Sequence, residues 1–180
     1  MLAMAQAVVR RGLRAEEDEI RAVIQAANAP FEWAVPADFY GAYLASAMDV
    51  LGRMDVAAVL VIEQDERIVG TVTYFADAGD EGMPTRFPTQ AAGLRATAVH
   101  PDAQGHGLGR SLVDACLERA RLDGATSLAL HTAPFMLSAV GLYQRAGFRR
   151  DERFDFPATA FFPSRPSPEL IAMAFIHDLR

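Results

Sequence analysis

The stretch VHPDAQGHGLG, Val99 to Gly109, decides how this chain is read. Three of its last five residues, Gly105, Gly107 and Gly109, are glycine. Before it, Leu94 to His100 has the β-branched, apolar character of a strand. After it, Arg110 to Leu122 reads as a helix, with Leu112, Val113, Cys116, Leu117 and Ala120 on one face and Gly124 able to close its end. Bare backbone between a strand and a helix start is a place to bind phosphate. The first amides of the helix lack intrahelical partners, and its dipole favours negative charge there.

The elements on either side follow from periodicity. Val8 and Val9 begin a short strand. Ala15 to Ala27 is an amphipathic helix, with Ile20, Val23, Ile24 and Ala27 on one face and Glu16 to Glu19 in its first turn. Pro36 opens a second helix, whose apolar face is Phe39, Tyr40, Tyr43, Leu44 and Ala47. Ala57 to Phe75 predicts a β-hairpin turning at Gln64 to Arg67. Ala76 to Ala92 reads as a loop, and loops of that length in compact domains are commonly functional. Leu128 to Thr132 is a strand, and Ser138 to Ala146 a short helix ended by Gly147. Phe148 to Phe156 and Leu170 to His177 are two last strands, flanking a loop with Pro157, Pro163, Pro166 and Pro168. The expected architecture is one α/β (α+β) domain over residues 1–180 with a mixed sheet.

Composition excludes several function classes. All 17 positive residues are arginine, so no lysine chemistry is open to the chain. A net charge of −6 argues against general nucleic-acid binding. The single Cys116 excludes an internal disulfide and any multi-cysteine metal site. No histidine pair has helical metal-ligand spacing, so no metal is expected. Ala57 to Ile62, the longest strongly apolar stretch, is too short to span a bilayer. Met1 to Val9 is apolar but lacks a basic leading segment. The expectation is a cytoplasmic protein without membrane or nucleic-acid partners, with a homodimer open as its assembly.

Three phosphate-binding readings compete for the glycine loop. A Walker A loop needs a lysine. A dinucleotide fingerprint would put its third glycine at Arg110 or Leu112. The third reading fits. Val99-His100-Pro101 followed by Gln104-x-x-Gly107-x-Gly109 resembles the acyl-CoA pyrophosphate loop of the GCN5-related N-acetyltransferase (GNAT) family. Leu142-Tyr143-Gln144-Arg145-Ala146-Gly147-Phe148 resembles that family's L-Y-x-x-x-G-F signature. Gly124-Ala125 with Leu128 and Leu130, and the order of elements, extend the likeness over nearly the whole chain.

The resemblance implies a GNAT fold: a mostly antiparallel sheet of about seven strands with four helices, its fourth and fifth strands parallel and splayed around coenzyme A. It implies that Thr97, Ala98 and Val99 pair with the pantetheine arm. The loop Gln104, Gly105, His106, Gly107, Leu108, Gly109 and Arg110 would hold the pyrophosphate, and Ser138 would offer a hydroxyl nearby. Acetyl-CoA is then the acyl donor and a small primary amine the acceptor, acetylated by direct attack on the thioester. Tyr143 would protonate the departing thiolate. His131, twelve residues before it, is a candidate base for the amine and equally a residue of the pocket wall. Met136 departs from the family, which commonly has asparagine seven residues before the tyrosine. Cys116 reads as a core residue. Arg145, Arg149, Arg150 and Arg153 are candidates for the 3′-phosphate or a solvated surface.

The acceptor side is less legible. Phe31, Trp33, Phe39, Tyr40 and Tyr43, with Phe154, Phe156, Phe161 and Phe162, are candidate pocket aromatics; Glu32, Asp38, Asp77 and Asp155 are unranked ammonium anchors. A non-catalytic acyl-CoA sensor or docking module of the same fold is the competing reading.

Overall fold

The computed structural model describes residues 7–84, 86–160, 162, 164–165 and 170–179. Among them eight strands are found: β1 (Val8–Arg11), β2 (Ala58–Gln64), β3 (Arg67–Phe75), β4 (Ala91–Val99), β5 (Ser127–Thr132), β6 (Arg149–Arg150), β7 (Phe156–Pro157) and β8 (Ile171–Asp178). They form one sheet in the order β1-β2-β3-β4-β5-β8-β6, with β7 also pairing β8. The helices are α1 (Glu17–Asn28), α2 (Ala37–Ala47), α3 (Val50–Val56), α4 (Leu108–Leu122) and α5 (Leu137–Arg145).

Local chemistry accounts for the elements. The β2–β3 hairpin closes at Gln64↔Arg67 over Asp65 and Glu66, at φ 51° and 61°. Two left-handed central residues match the twist of the paired strands. Ile20, Val23 and Ile24 of α1 bury against Val59, Val61 and Ile68 on one face of the sheet. Leu112, Val113, Cys116 and Leu117 of α4 bury against Ile62, Val72, Leu94 and Leu128 on the other. Each aliphatic side chain so buried contributes about 1.5–3 kcal/mol relative to exposure. A third cluster, Phe39, Phe156, Phe162 and Leu170, packs α2 against β7 and the start of β8.

Two elements differ from expectation. Asp49 caps an unforeseen helix, α3, by accepting from the Gly52 amide at 3.1 Å, giving five helices rather than four among the described residues. The strand expected over Phe148–Phe156 is divided into β6 and β7 by a 3-10 turn at Glu152–Phe154. There Asp151 accepts from the Arg153 amide, and Asp155 pairs with Arg150 and accepts from the Ala174 amide. These side chains supply backbone bonds that a continuous strand would otherwise make. Phe161, Pro163, Pro166 and Pro168 lie outside the described residues.

The sheet opens where β4 meets β5. Their parallel pairing runs Ala91↔Ser127, Ala92↔Leu128 and Gly93↔Ala129 and then stops. Beyond it β4 continues along β3 to Gly70↔Val99, and β5 along β8 to Thr132↔Met173. A bulge lies at the point of parting. The register passes from Thr73↔Arg95 to Thr71↔Ala98, so Ala96 and Thr97 together oppose Val72, and Ala96 sits at φ 54°. Bulges bend the strand that carries them, and this one turns β4 away from β5. Among the described residues no helix is long and apolar enough to cross a membrane.

Candidate active site

A cleft of about 540 Å³ occupies the gap on the α4–α5 side. Its floor is the glycine loop. Gly105 and Gly107 adopt φ 81° and 80°, which favours residues without a Cβ. Gly107 caps α4, and the first bond of that helix runs from the Ser111 amide to the Gly107 carbonyl at 3.0 Å. The amides of Leu108, Gly109 and Arg110 precede it and have no intrahelical carbonyl to meet. Gly109 serves differently: a Cβ there would come within 3.3 Å of Leu142 Cδ2, so it lets α4 lie close to α5.

The cleft wall is the free edge of β4. The His100 amide donates to the Val69 carbonyl of β3 at 2.8 Å. Across a trans peptide the preceding carbonyl points the opposite way, so Val99 C=O faces the cleft. Gln104 Nε2 donates to that carbonyl at 2.9 Å and fastens the loop to the end of β4. The Val99 carbonyl, expected to meet pantetheine, is thus already engaged. The Val99 amide lies on the same cleft-facing side of the extended chain.

Tyr143 closes the inner end. It is 5% exposed, and its hydroxyl donates to Thr97 Oγ1 at 3.1 Å. Burial pushes its phenol well above the ordinary range, so the proton stays on the oxygen. The Phe148 amide bonds the Tyr143 carbonyl at 3.0 Å, through the turn at Gly147, φ 87°.

A smaller cavity, about 100 Å³, lies on the α2 side and shares Tyr43 and Met136 with the cleft. Phe39, Phe135, Phe156 and Phe162 supply its aromatic walls. Three chemically active side chains reach it: Glu81, Arg95 and His131. His131 Nε2 donates to the Phe154 carbonyl at 2.9 Å, so the ring is the tautomer whose Nδ1 carries a lone pair; that atom is buried without a partner. Phe87 stacks on the ring at 4.6 Å, and burial lowers its pKa below the ordinary imidazole value. Glu81 is also buried, and its Oε1 has no partner among the described residues. Burial pushes its carboxyl up to about 8 against the opposing pull of Arg95. Arg95 itself donates to Ser46 Oγ at 2.8 Å.

Eleven of the thirteen residues singled out from sequence line the larger cleft, from Thr97 through Arg110, Ser138 and Tyr143. His131 lines the smaller cavity instead, and His106 lies exposed with Nδ1 3.4 Å from the Ala103 carbonyl. Met136 lies between the cavities and accepts from Thr132 Oγ1 at 3.7 Å. Cys116 is buried in the core, its thiol pushed up to about 12. Arg145 lines the cleft, but Arg149, Arg150 and Arg153 do not; they surround a separate depression and pair with Asp178, Asp155 and Asp151.

Of the acids, Asp77 caps a turn by accepting from the Gly79 amide, Asp38 accepts from Ser164 Oγ, and Asp155 is paired with Arg150. Glu32 is exposed. Glu81, which reaches the cavity, was not among them. Its one sequence signal is distant: Gly93 inside a strand, which marks a close approach by another part of the chain.

The comparisons with known proteins agree with this geometry. Over 97 residues, 53% of this chain, it is 36% identical to the mycothiol acetyltransferase of Cellulomonas flavigena, of which that covers 28%. Over 93 residues, 50% of this chain, it is 33% identical to human N-acetyltransferase 8B, covering 37% of it. The matches thus span about a third of these relatives' lengths. The fold matches the paia N-acetyltransferase of Thermoplasma acidophilum, solved in complex with coenzyme A, at a TM-score of 0.72 and 9% identity, over 97% of this chain and 99% of that one. Residues 20–148 match the acetyltransferase (GNAT) family profile. That match runs from Ile20, within α1, to Phe148, including the glycine loop, the open β4 edge and Tyr143, and the chain belongs to the GNAT family.

Proposed function

We propose that this chain is an acetyl-CoA-dependent N-acetyltransferase acting on a small primary amine. The observation that carries the reading is the placement of Tyr143. Its buried hydroxyl, held on Thr97, stands at the inner end of a cleft whose outer end is a helix N-terminus built from glycine. The cleft fits the donor. Unpaired amides at the start of α4 suit a pyrophosphate, and the free β4 edge suits an amide-bearing arm.

Acetyl-CoA supplies an activated acyl group as a thioester. Val99 N–H, facing the cleft, is placed to donate to the carbonyl oxygen as charge develops there. Tyr143 gives its proton to the sulfur. A phenol (~10) and a thiol (~8.5) are ordinarily close enough for that transfer. Burial raises the Tyr143 phenol further, which keeps its proton in place until a thiolate forms beside it. The smaller cavity receives the amine, with buried Glu81 and half-buried His131 as the two bases facing it.

Thermal unfolding tests the donor. Acetyl-CoA at 100 times its dissociation constant stabilises the native state by about 2.7 kcal/mol, and an unchanged melting temperature at millimolar acetyl-CoA refutes the assignment. Release of free coenzyme A, followed with a thiol reagent across small amines, amino acids and peptide N-termini, tests the reaction. Binding without release above the amine-free rate would favour the non-catalytic sensor.

A further inference from the structure

We propose that Glu81, resting on Gly93, is the group that receives the acceptor's ammonium and takes its proton. The inference rests on the acetyltransferase reading above. Gly93 is the last residue of β4 paired with β5, so it marks the vertex of the gap. A Cβ at Gly93 would lie 2.1 Å from Glu81 Oε1 and 3.2 Å from the Ala78 backbone. The carboxyl therefore occupies the space that any other residue's side chain would fill. The segment carrying it is a 3-10 turn, Ala78–Glu81, closed by Gly82 at φ 71°. Asp77 caps that turn, and Ala78 is buried, which holds Glu81 down on the strand.

A buried carboxylate oxygen without a partner is costly unless a ligand completes it. Among the described residues, the charged groups around it are few. Arg95 on β4 faces it and draws its pKa down, Tyr43 of α2 and His131 of β5 share its cavity, and buried Arg53 of α3 stands behind Arg95. Asp77 and Asp80 on its own turn are exposed. Glu81 rests on Gly93, and the Tyr143 hydroxyl on Thr97 four residues further along β4, so one strand carries both groups.

Glu81 and His131 differ in what they can attract. Once ionised, above about pH 8, Glu81 draws an ammonium ion in, and a neutral imidazole does not. His131 is also held between Phe87 and Phe156, its ring at 4.6 Å and 4.9 Å from theirs. The ammonium gives one N–H proton to ionised Glu81, the neutral amine adds to the thioester carbonyl to form the N–C bond, and the C–S bond breaks as that adduct collapses. Tyr143 protonates the sulfur, and the second proton shed by nitrogen restores Tyr143. Glu81 then returns its proton to solvent. The aromatic walls and the small volume suit a compact primary amine on an apolar stem.

Two measurements test this. In protein labelled at glutamate carboxyl carbons, the signal missing from Glu81→Gln identifies Glu81. It should titrate near pH 8 and shift when benzylamine is added at pH 9. An ordinary carboxylate titration, or no response to benzylamine, n-butylamine or phenethylamine, overturns the proposal whether or not acetyl-CoA binds. With acetyl-CoA and the best of these amines, kcat/KM of the wild type should rise with pH through about 8. Glu81→Gln should lose that limb and at least ~100-fold in kcat/KM. Its acetyl-CoA dissociation constant should change less than about twofold, because the donor site is separate. His131→Gln should keep the limb. A limb that survives in Glu81→Gln, or vanishes in His131→Gln, overturns the assignment. Absence of any acetyl-CoA stabilisation in the wild type would instead strike the donor reading and leave the carboxyl titration to decide.

Discussion

The two sides of the β4–β5 gap are built from different materials. On the α4 side the chemistry is backbone: amides at a helix start, a strand edge, and glycines at φ 81° and 80°. On the α2 side it is side chain: a buried carboxyl, an arginine, a histidine and a ring of aromatics. Backbone dipoles let a chain of net charge −6 attract a polyanion locally, without a basic surface. They also offer the same groups whatever side chains surround them. The side-chain half can change with each acceptor while the backbone half stays as it is. Tyr143 stands between the two and should belong to the reaction rather than to either binding step.

The largest expected effect follows from that position. Tyr143→Phe should lower single-turnover acetyl transfer by ~10² to 10⁴-fold, the usual contribution of a general acid. Acetyl-CoA affinity should hold nearly steady. The Thr97 hydroxyl loses one donor but stays at the edge of an open cleft. Wild-type turnover in single-turnover conditions would reduce Tyr143 to packing.

On the backbone side, Gly107→Val should remove the stabilisation by acetyl-CoA. The residue holds φ 80° at the start of α4, and a β-branched side chain there costs about 1–2 kcal/mol in strain alone. Open space surrounds the position, so the effect is one of φ and of the path toward the ligand rather than of crowding. Gly109→Val should act differently, by pushing α5 away through Leu142. It should lower the melting temperature even without ligand. Comparing the two variants with and without acetyl-CoA separates the two uses of glycine.

This contrast also explains what could be read from sequence. The glycine loop, α4 and the L-Y-x-x-x-G-F segment are local: their spacing in the chain is their spacing in the site. Glu81 is not. It stands in a loop between Asp77, Asp80 and Gly82, where an acid looks solvated, and it becomes a buried group only because that turn folds onto Gly93. The splay of β4 depends on the bulge at Ala96, an ordinary alanine held at φ 54° by the pairings on either side of it. Likewise α3 was hidden because Val50–Val56 is short and contains Gly52, and its cap, Asp49, resembles any loop acid.

The side-chain half should show itself in stability. The Glu81 carboxyl is raised in the folded chain to about 8, whereas an unfolded glutamate titrates near ~4.3. Between those values the folded state holds more protons, so its stability falls as pH rises from about 5 to about 8. Glu81→Gln has no such proton to lose. Its melting temperature should therefore gain on the wild type across that window, with the difference constant above it. A difference of ~1 kcal/mol would appear as about 2–4 °C in a domain of this size. Parallel melting curves for the two proteins would contradict a buried, uncharged Glu81.

The smallest effect concerns the arginines, and it tests whether the cleft ends where the backbone places it. Arg145 lies at the end of α5 and lines the cleft, and Arg110 of α4 reaches across to donate to its carbonyl at 3.0 Å. Arg149 and Arg153 lie beyond Gly147, on the other side of β8, and each already has an aspartate partner. Arg145→Ala should weaken acetyl-CoA by less than about 1 kcal/mol, since an exposed guanidinium meeting a phosphate is well screened. The loss should shrink as salt is raised, because the Debye length falls from about 10 Å at 0.1 M to about 3 Å at 1 M. Arg149→Ala and Arg153→Ala should leave the dissociation constant unchanged at every salt concentration. If either weakens acetyl-CoA as much as Arg145→Ala, the coenzyme's phosphates reach past α5, and the division into a backbone half and a side-chain half does not hold at that end.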